Sequence, residues 1–384
     1  METASIIDRI SEMICPVCGK IYNKNEIQHY ATCCNQPLII EFDFSKETKD
    51  DIRKNIRSMW RYRDYLPFVE EQNIVSLGEG FTPLHTLEKL GEQLEINLLV
   101  KDESVNPTGS FKARGISMAI SKAKEFGISH CVMPTAGNAG GALSAYCAKA
   151  DIKATVIMPE HTAETLKEEC RSYGAELITI KGLINDCGVR ANEIAAQTGA
   201  FNMSTLKEPY RLEGKKTMGY EIAEQLEWKV PDVIVYPTGG GTGLLGIWKA
   251  FKEMQDLNWI RGKMSRMVVV QTENCQPMVH LFHQGTIPEN YKATSSIALG
   301  LAVPFAFAQN QIQQVLHESD GNAIAISDHE IREEILHIAH LEGMLLSPEG
   351  AACISATRRL LADNWIKKEE TVLILNTGSW YKYH

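Results

Sequence analysis

The sequence is short of positive charge: 39 basic residues stand against 48 acidic ones, for a formal net charge of -9. No broad basic field is left for nucleic acid or an anionic membrane, so an anionic ligand has to be met locally. Apolar runs are short as well, and none approaches the roughly 18 residues that read as a membrane span. Met1 to Glu12 mixes charges with isolated hydrophobes instead of forming a secretory core segment. The expectation is a cytoplasmic protein with neither nucleic acid nor membrane as partner. Ten cysteines do not make a disulfide scaffold in a chain of 384 residues. There is no internal repeat, no low-complexity tract, and no Lys-Ser/Thr pair behind a glycine-rich turn, which excludes a P-loop.

What is present is an ordinary globular composition, 44% hydrophobic and 23% charged. At about 100–200 residues per domain the length predicts two or three domains. Residues 12–45 read as a zinc-ribbon-like segment. Cys15-Pro16-Val17-Cys18-Gly19 is a good first knuckle, while Cys33 and Cys34 are adjacent and lack the usual spacer, so His29 is an alternative fourth ligand. Structural zinc and a metal-free remnant both remain open at this point. The other six cysteines, Cys131, Cys147, Cys170, Cys187, Cys275 and Cys353, read as small buried hydrophobes. Residues 46–75, with Trp60, Tyr62, Tyr65 and Phe68 among charges, predict a helical connector packed on a larger body.

After Ser76, short β-branched runs alternate with longer amphipathic stretches: Cys131-Val132-Met133, Ala154-Thr155-Val156-Ile157-Met158, Leu177-Ile178-Thr179-Ile180, Val233-Ile234-Val235-Tyr236, Met267-Val268-Val269-Val270 and Thr371-Val372-Leu373-Ile374-Leu375. The alternation predicts an α/β fold of parallel sheets covered by helices, with ligands at the carboxyl ends of strands.

Three loops that follow apparent strands carry the chemistry. Asn106-Pro107-Thr108-Gly109-Ser110-Phe111-Lys112 places an amine among small residues, where it can condense with an aldehyde once burial and a nearby cation such as Arg114 favour its neutral form. A lone lysine at a helix start is otherwise usually just solvated. Pro134-Thr135-Ala136-Gly137-Asn138-Ala139-Gly140-Gly141 offers amides for a carboxylate and the Asn138 side chain for a ring oxygen; the plainer reading of Asn138 is a helix cap. Gly239-Gly240-Gly241-Thr242-Gly243 before a helix pattern is a turn that lets backbone N–H groups converge on a phosphate. Its continuation also matches GxGxxG, and Glu273 after the next strand is placed to hold a ribose, so a nicotinamide oxidoreductase is a rival reading.

Together with Ser76-Leu77-Gly78-Glu79-Gly80-Phe81-Thr82-Pro83-Leu84, Lys101-Asp102-Glu103, Pro209-Tyr210-Arg211-Leu212-Glu213-Gly214-Lys215-Lys216-Thr217 and Asn376-Thr377-Gly378, these segments resemble the fold type II pyridoxal-phosphate enzymes, and within them the threonine synthases, from about Val75 onward. The resemblance implies a tryptophan synthase β-like catalytic core over 76–384, two doubly wound open-sheet domains with a smaller subdomain at about 113–210 and the cofactor in the cleft. It implies that Lys112 joins the cofactor aldehyde, Asn138 meets the ring oxygen, Gly239, Gly240, Gly241, Thr242 and Gly243 hold the phosphate, and Thr377 faces the pyridine nitrogen. Thr135, Ala136, Gly137 and Ala139 would receive the substrate, with Arg211 on its phosphate; the plain alternative for Arg211 is a surface salt bridge. A homodimer is expected by the same resemblance.

Two departures bear on the substrate. This chain has Ala113 where the threonine-synthase pattern has an aspartate, and Ala136 and Ala139 where it has hydroxyl residues. Cysteate synthase, which acts on phosphoserine with sulfite, shares the outline. The readings to be weighed are thus a lyase making threonine from O-phosphohomoserine, a β-replacement on O-phosphoserine, a nicotinamide enzyme, and a retired scaffold whose ribbon binds a partner.

Overall fold

The computed structural model describes residues 9–44, 47–182 and 184–383. Its strands in chain order are β1 (Ile10–Ile14), β2 (Ile21–Tyr22), β3 (Ile39–Phe42), β4 (Leu84–Thr86), β5 (Asn97–Asp102), β6 (His130–Pro134), β7 (Lys153–Pro159), β8 (Glu176–Ile180), β9 (Phe201–Asn202), β10 (Val233–Pro237), β11 (Arg266–Thr272), β12 (Asn322–Ile326) and β13 (Thr371–Asn376). The α-helices are α1 (Glu88–Leu94), α2 (Lys112–Glu125), α3 (Ala139–Ala150), α4 (Glu164–Ser172), α5 (Ile184–Thr198), α6 (Tyr210–Gln225), α7 (Thr242–Asp256), α8 (Pro277–Gln284), α9 (Gln309–Glu318), α10 (Asp328–Glu342) and α11 (Pro348–Ala362). None of the described helices is long and apolar enough to cross a membrane.

Two compact units share these elements: Met1–Phe81 with Lys112–Thr217, and Thr82–Phe111 with Met218–His384. In the first, a parallel four-stranded sheet runs β8-β7-β6-β9 and a three-stranded antiparallel sheet runs β2-β1-β3. The N-terminal ribbon groups with this unit for a physical reason: Ile10, Met13, Leu38 and Ile40 belong to the same buried cluster as Met118, Ile120, Leu143 and Tyr210. Burying that apolar face is what ties the ribbon down. Residues 47–75 differ from the helical connector expected: they form short 3-10 turns at Lys49–Asp51, Met59–Tyr65 and Glu71–Asn73. Their aromatics do pack on the unit, and Trp60 donates its indole N–H to Glu79 at 2.9 Å and Ser117 at 3.1 Å.

The second unit is a six-stranded sheet in the order β12-β11-β10-β13-β5-β4, parallel throughout except for the antiparallel edge pair β4-β5. Its central strand β10, Val-Ile-Val-Tyr-Pro, is buried at every residue. A parallel strand covered on both faces reads as such a continuous apolar run, which is why it was visible in the sequence.

Candidate active site

The segment leading to Lys112 is held from both sides of its own unit. Asp102, at the end of β5, accepts the side-chain amide of Asn376 from the neighbouring β13 at 2.9 Å, and Asn376 in turn accepts the N–H of Ser347 at 3.0 Å. The Phe111 N–H donates to the Thr377 carbonyl at 3.0 Å, and the Ser379 N–H to the Gly109 carbonyl at 2.8 Å. Lys382 closes the set by donating its ammonium to the Thr108 carbonyl at 2.8 Å. Thr108 and Gly109 both take left-handed φ, +60° and +61°; for a threonine this is strained backbone that its surroundings must hold in place. The peptide immediately before Lys112 is thereby fixed to the strand end that carries Thr377.

Lys112 opens α2, which belongs to the first unit and is buried from Ala113 to Ala123. One turn on, α2 crosses α6 at two glycines. A Cβ on Gly115 would lie 2.8 Å from the Arg211 carbonyl and 3.3 Å from the Arg211 Cβ, and one on Gly214 would lie 2.3 Å from the Arg114 carbonyl. Glycine in a helix interior costs about 1 kcal/mol against alanine and marks a packing constraint when it persists. Here the constraint brings the backbone of Arg211 within a turn of Lys112. Arg114, named as a nearby cation, is buried and donates to Thr217 Oγ1 at 3.0 Å.

Arg211 is buried, so the surface salt bridge does not describe it. It donates through Nη1 to the Met203 carbonyl at 2.8 Å. Glu208, also buried, accepts the Arg211 backbone N–H at 3.0 Å, while its other oxygen stands 3.8 Å from Arg211 Nε, too far for a hydrogen bond. Among the described residues neither Glu208 Oε1 nor Arg211 Nε has a hydrogen-bond partner. Burial pushes the Glu208 carboxyl up to about 7, against the pull of Arg211 and of the amides at 210 and 211. Burial likewise draws Arg211 down from its usual value. Glu208 was not singled out in the sequence; its place three residues before Arg211, at the mouth of a helix, was the available signal.

Asn138 occupies the N-cap position of α3 yet makes no capping hydrogen bond, which leaves the helix-cap reading without its bond. Thr135 is buried and its hydroxyl accepts the Gly137 N–H at 3.1 Å, shaping the turn. A Cβ on Gly137 would meet nothing within 4 Å, so a small ligand has room there, whereas one on Gly140 would strike Met158 at 2.7 Å and Thr135 at 2.9 Å. Ala139 is buried at the head of α3.

In the second unit the glycine turn is one that side chains would fill. A Cβ on Gly239 would come 2.2 Å from the Gly300 carbonyl, one on Gly241 2.3 Å from Ile312, and one on Gly243 1.8 Å from the Tyr236 hydroxyl. Gly241 also has φ +77° and is the N-cap of α7, where no side chain caps the first-turn N–H groups. Gly300 is set against the turn by its own N–H, which donates to the buried Glu349 at 2.8 Å. The Tyr236 hydroxyl is buried with no hydrogen-bond partner among the described residues. Open amides at a helix start beside an orphaned hydroxyl fit a phosphate group. Thr377 is buried at the end of β13, on the neighbouring strand. Glu273, the residue the nicotinamide reading needs, is paired with Arg359 at 3.3 Å.

On the ribbon, the sulfurs of Cys15, Cys18, Cys33 and Cys34 all lie within 4.8 Å of one another. The adjacency of Cys33 and Cys34 therefore does not keep either thiol out of the group. His29, the alternative ligand, instead packs its ring on Phe201 at 5.1 Å.

Comparison with known proteins matches the chain to a family described as pyridoxal-phosphate dependent enzymes over residues 75–378. It is 33% identical over 378 residues to a threonine synthase of Methanocaldococcus jannaschii, covering 96% of this chain and 92% of that protein. A threonine synthase of Methanosarcina acetivorans is 32% identical over 375 residues, covering 96% of this chain and 91% of its own length. Among solved structures, maize serine racemase superposes with a TM-score of 0.67 at 19% identity, over 77% of this chain and 87% of that one. Threonine deaminase isoform 2 from Solanum lycopersicum, in its processed form, gives 0.66 at 19% identity, over 86% and 90%. At such identities the structural likeness speaks for the fold alone.

Proposed function

We propose, on the premise that the chain belongs to the family of pyridoxal-phosphate dependent enzymes, that it converts O-phosphohomoserine and water to threonine and inorganic phosphate. The cofactor, when bound, supplies an electron sink for negative charge that develops on the substrate carbons. The chain's own residues do the rest. Lys112 would hold the cofactor aldehyde in the resting protein, and its neutral amine is the base that takes and returns protons at the α, β and γ carbons. Gly239 to Gly243 would hold the cofactor phosphate, Asn138 the ring oxygen and Thr377 the ring nitrogen. The loop from Thr135 to Ala139 takes the substrate carboxylate, without the Thr135 N–H, which donates to the Ile157 carbonyl at 2.9 Å. Arg211 takes the substrate phosphate, whose C–O bond breaks as the γ carbon loses it; water then adds at the β carbon.

The observation that carries this reading is the crossing of α2 and α6 at Gly115 and Gly214, which sets the Arg211 backbone beside the turn of α2 that follows Lys112. A base and an arginine carried on helices so crossed suit an amino acid whose leaving phosphate lies a few bonds from the proton that must be removed. A second reading has one specific support: Ala113, Ala136 and Ala139 offer no hydroxyl or carboxylate to steer water, which suits a β-replacement on O-phosphoserine by sulfite.

Phosphate release from O-phosphohomoserine, and from O-phosphoserine with and without sulfite, separates the two. Threonine formed from the first substrate is the expected result; turnover of phosphoserine alone moves the assignment to the second. The turn has its own test in Gly243→Ala, whose methyl would meet the Tyr236 hydroxyl at 1.8 Å. Overpacking of this kind predicts about 10- to 100-fold weaker binding of pyridoxal phosphate to the apoprotein. Unchanged affinity in a spectroscopic titration would remove the turn from the site.

A further inference from the structure

The ribbon lies outside the residues that match the family, 75–378, yet it is built around four convergent thiols. Both thiol pairs sit on hydrogen-bonded turns. The Gly19 N–H donates to the Cys15 carbonyl at 3.0 Å and the Cys15 N–H to the Lys20 carbonyl at 2.9 Å, while Ala31 and Gln36 exchange backbone bonds of 2.9 and 3.2 Å around Cys33 and Cys34. Tyr22 reaches across and accepts the Cys33 N–H at 3.3 Å. Four thiolates at about 2.3 Å from one tetrahedral zinc ion stand about 3.8 Å apart. The observed spread, within 4.8 Å overall with Cys18 and Cys33 at 3.4 Å, needs only a small contraction. An all-sulfur set selects a borderline-soft ion such as zinc over magnesium or calcium.

The loop between the two thiol pairs touches α6 through Gln28 and strand β9 through His29. Its Gln28 N–H donates to the hydroxyl of buried Tyr210 at 3.1 Å, and its His29 ring packs on Phe201 at 5.1 Å. On the opposite edge of the ribbon's sheet, Phe42 on β3 presents its ring to the Lys216 ammonium at 4.0 Å, itself buried and paired with Glu213 at 2.8 Å. Tyr210 precedes Arg211, and Lys216 lies further along the same helix. The ribbon thus grips α6 before and after the guanidinium.

We propose that Cys15, Cys18, Cys33 and Cys34 bind one zinc ion and that the ribbon closed by it braces the first turns of α6, making the metal a remote positioning element for Arg211. The functional half of this inference rests on Arg211 receiving the substrate phosphate. Residues 19–32 are bracketed by Cys18 and Cys33, so the ion pins together the ends of the loop from which Gln28 reaches α6 and His29 reaches β9. Releasing it frees those ends and loosens the loop's hold on Tyr210.

The test uses full-length holoenzyme. Metal analysis is expected to find about one zinc per chain, lost in Cys18→Ser and Cys33→Ser. Stripping the zinc is expected to speed amide exchange over residues 26–32 and 208–213 and to raise KM for O-phosphohomoserine about fivefold, the weight of one net hydrogen bond, while the cofactor absorption band stays. Should the cysteine variants fail to fold, Tyr210→Phe keeps all four thiols; it is expected to retain zinc and still show faster exchange over 208–213. Protein grown with zinc that carries no metal, or that holds these thiols as disulfides, overturns the site. Zinc loss, or Tyr210→Phe, with unchanged exchange over 208–213 overturns the brace. If Arg211→Lys leaves KM unaltered, the phosphate assignment fails by itself, and the exchange data still decide the brace.

Discussion

Lys112→Ala is expected to lose the visible absorption band of the holoenzyme and to lower kcat by about 10³-fold or more, since it removes both the covalent anchor and the proton-carrying base. The fold should survive. Lys112 is the first residue of α2, where alanine is the better helix former, and the loop before it is held by backbone bonds from Phe111 and Ser379 that the substitution does not touch. Unchanged far-ultraviolet circular dichroism beside a colourless protein is therefore the predicted pair of results. A variant that keeps both band and turnover would assign the chemistry to another amine. The buried Lys101 is not that amine, being bound to the Thr82 carbonyl at 2.8 Å, Glu221 at 2.9 Å and Gln225 at 2.8 Å within its own unit.

The second large effect is expected at Arg211. An ammonium cannot reproduce the fork of a guanidinium, and each charge-assisted hydrogen bond lost is worth about 1.5–3 kcal/mol. Arg211→Lys should therefore lower kcat/KM for O-phosphohomoserine by about 10²-fold and weaken inhibition by inorganic phosphate in parallel. The cofactor band is expected to be retained. Glu208 supplies a pH signature for the same pair. Its carboxyl is raised from an ordinary 4.5 to about 7 by burial, so the folded protein holds a proton that the unfolded chain has already released. The stability this contributes is complete below about pH 4.5 and is lost as pH rises through about 7. In Glu208→Gln that part of the decline should be missing from denaturation midpoints measured across the interval. An identical pH dependence in both proteins would show that Glu208 is ionised throughout.

Much of the core was legible because its residues obey local rules. β10 and β13 carry continuous apolar runs, Val233-Ile234-Val235-Tyr236 and Val372-Leu373-Ile374-Leu375, and the glycine turn and the Asn138 loop join strand to helix where the sequence changes period. The four thiols were legible as a group, although the adjacency of Cys33 and Cys34 suggested His29 as a substitute. Cys33 and Cys34 sit on a turn closed between Ala31 and Gln36, and the directions that turn gives the two thiols cannot be read from spacing. The two-residue strand β9 was too short to show a period. The grouping of the ribbon with residues 112–217 depends on long-range burial of Ile10, Met13 and Ile40, and the aromatic-rich stretch at 59–65 is 3-10 where its composition suggested a plain helix. At the site, Gly115 and Gly214 carried the missing information: glycines inside helical patterns, unexplained until the two helices meet there.

Borohydride reduction of the holoenzyme followed by peptide mapping tests the central claim most directly. The account predicts a stable phosphopyridoxyl group on Lys112 and on no other lysine. Label on a different lysine, or none on a protein that has been saturated with pyridoxal phosphate, would contradict it.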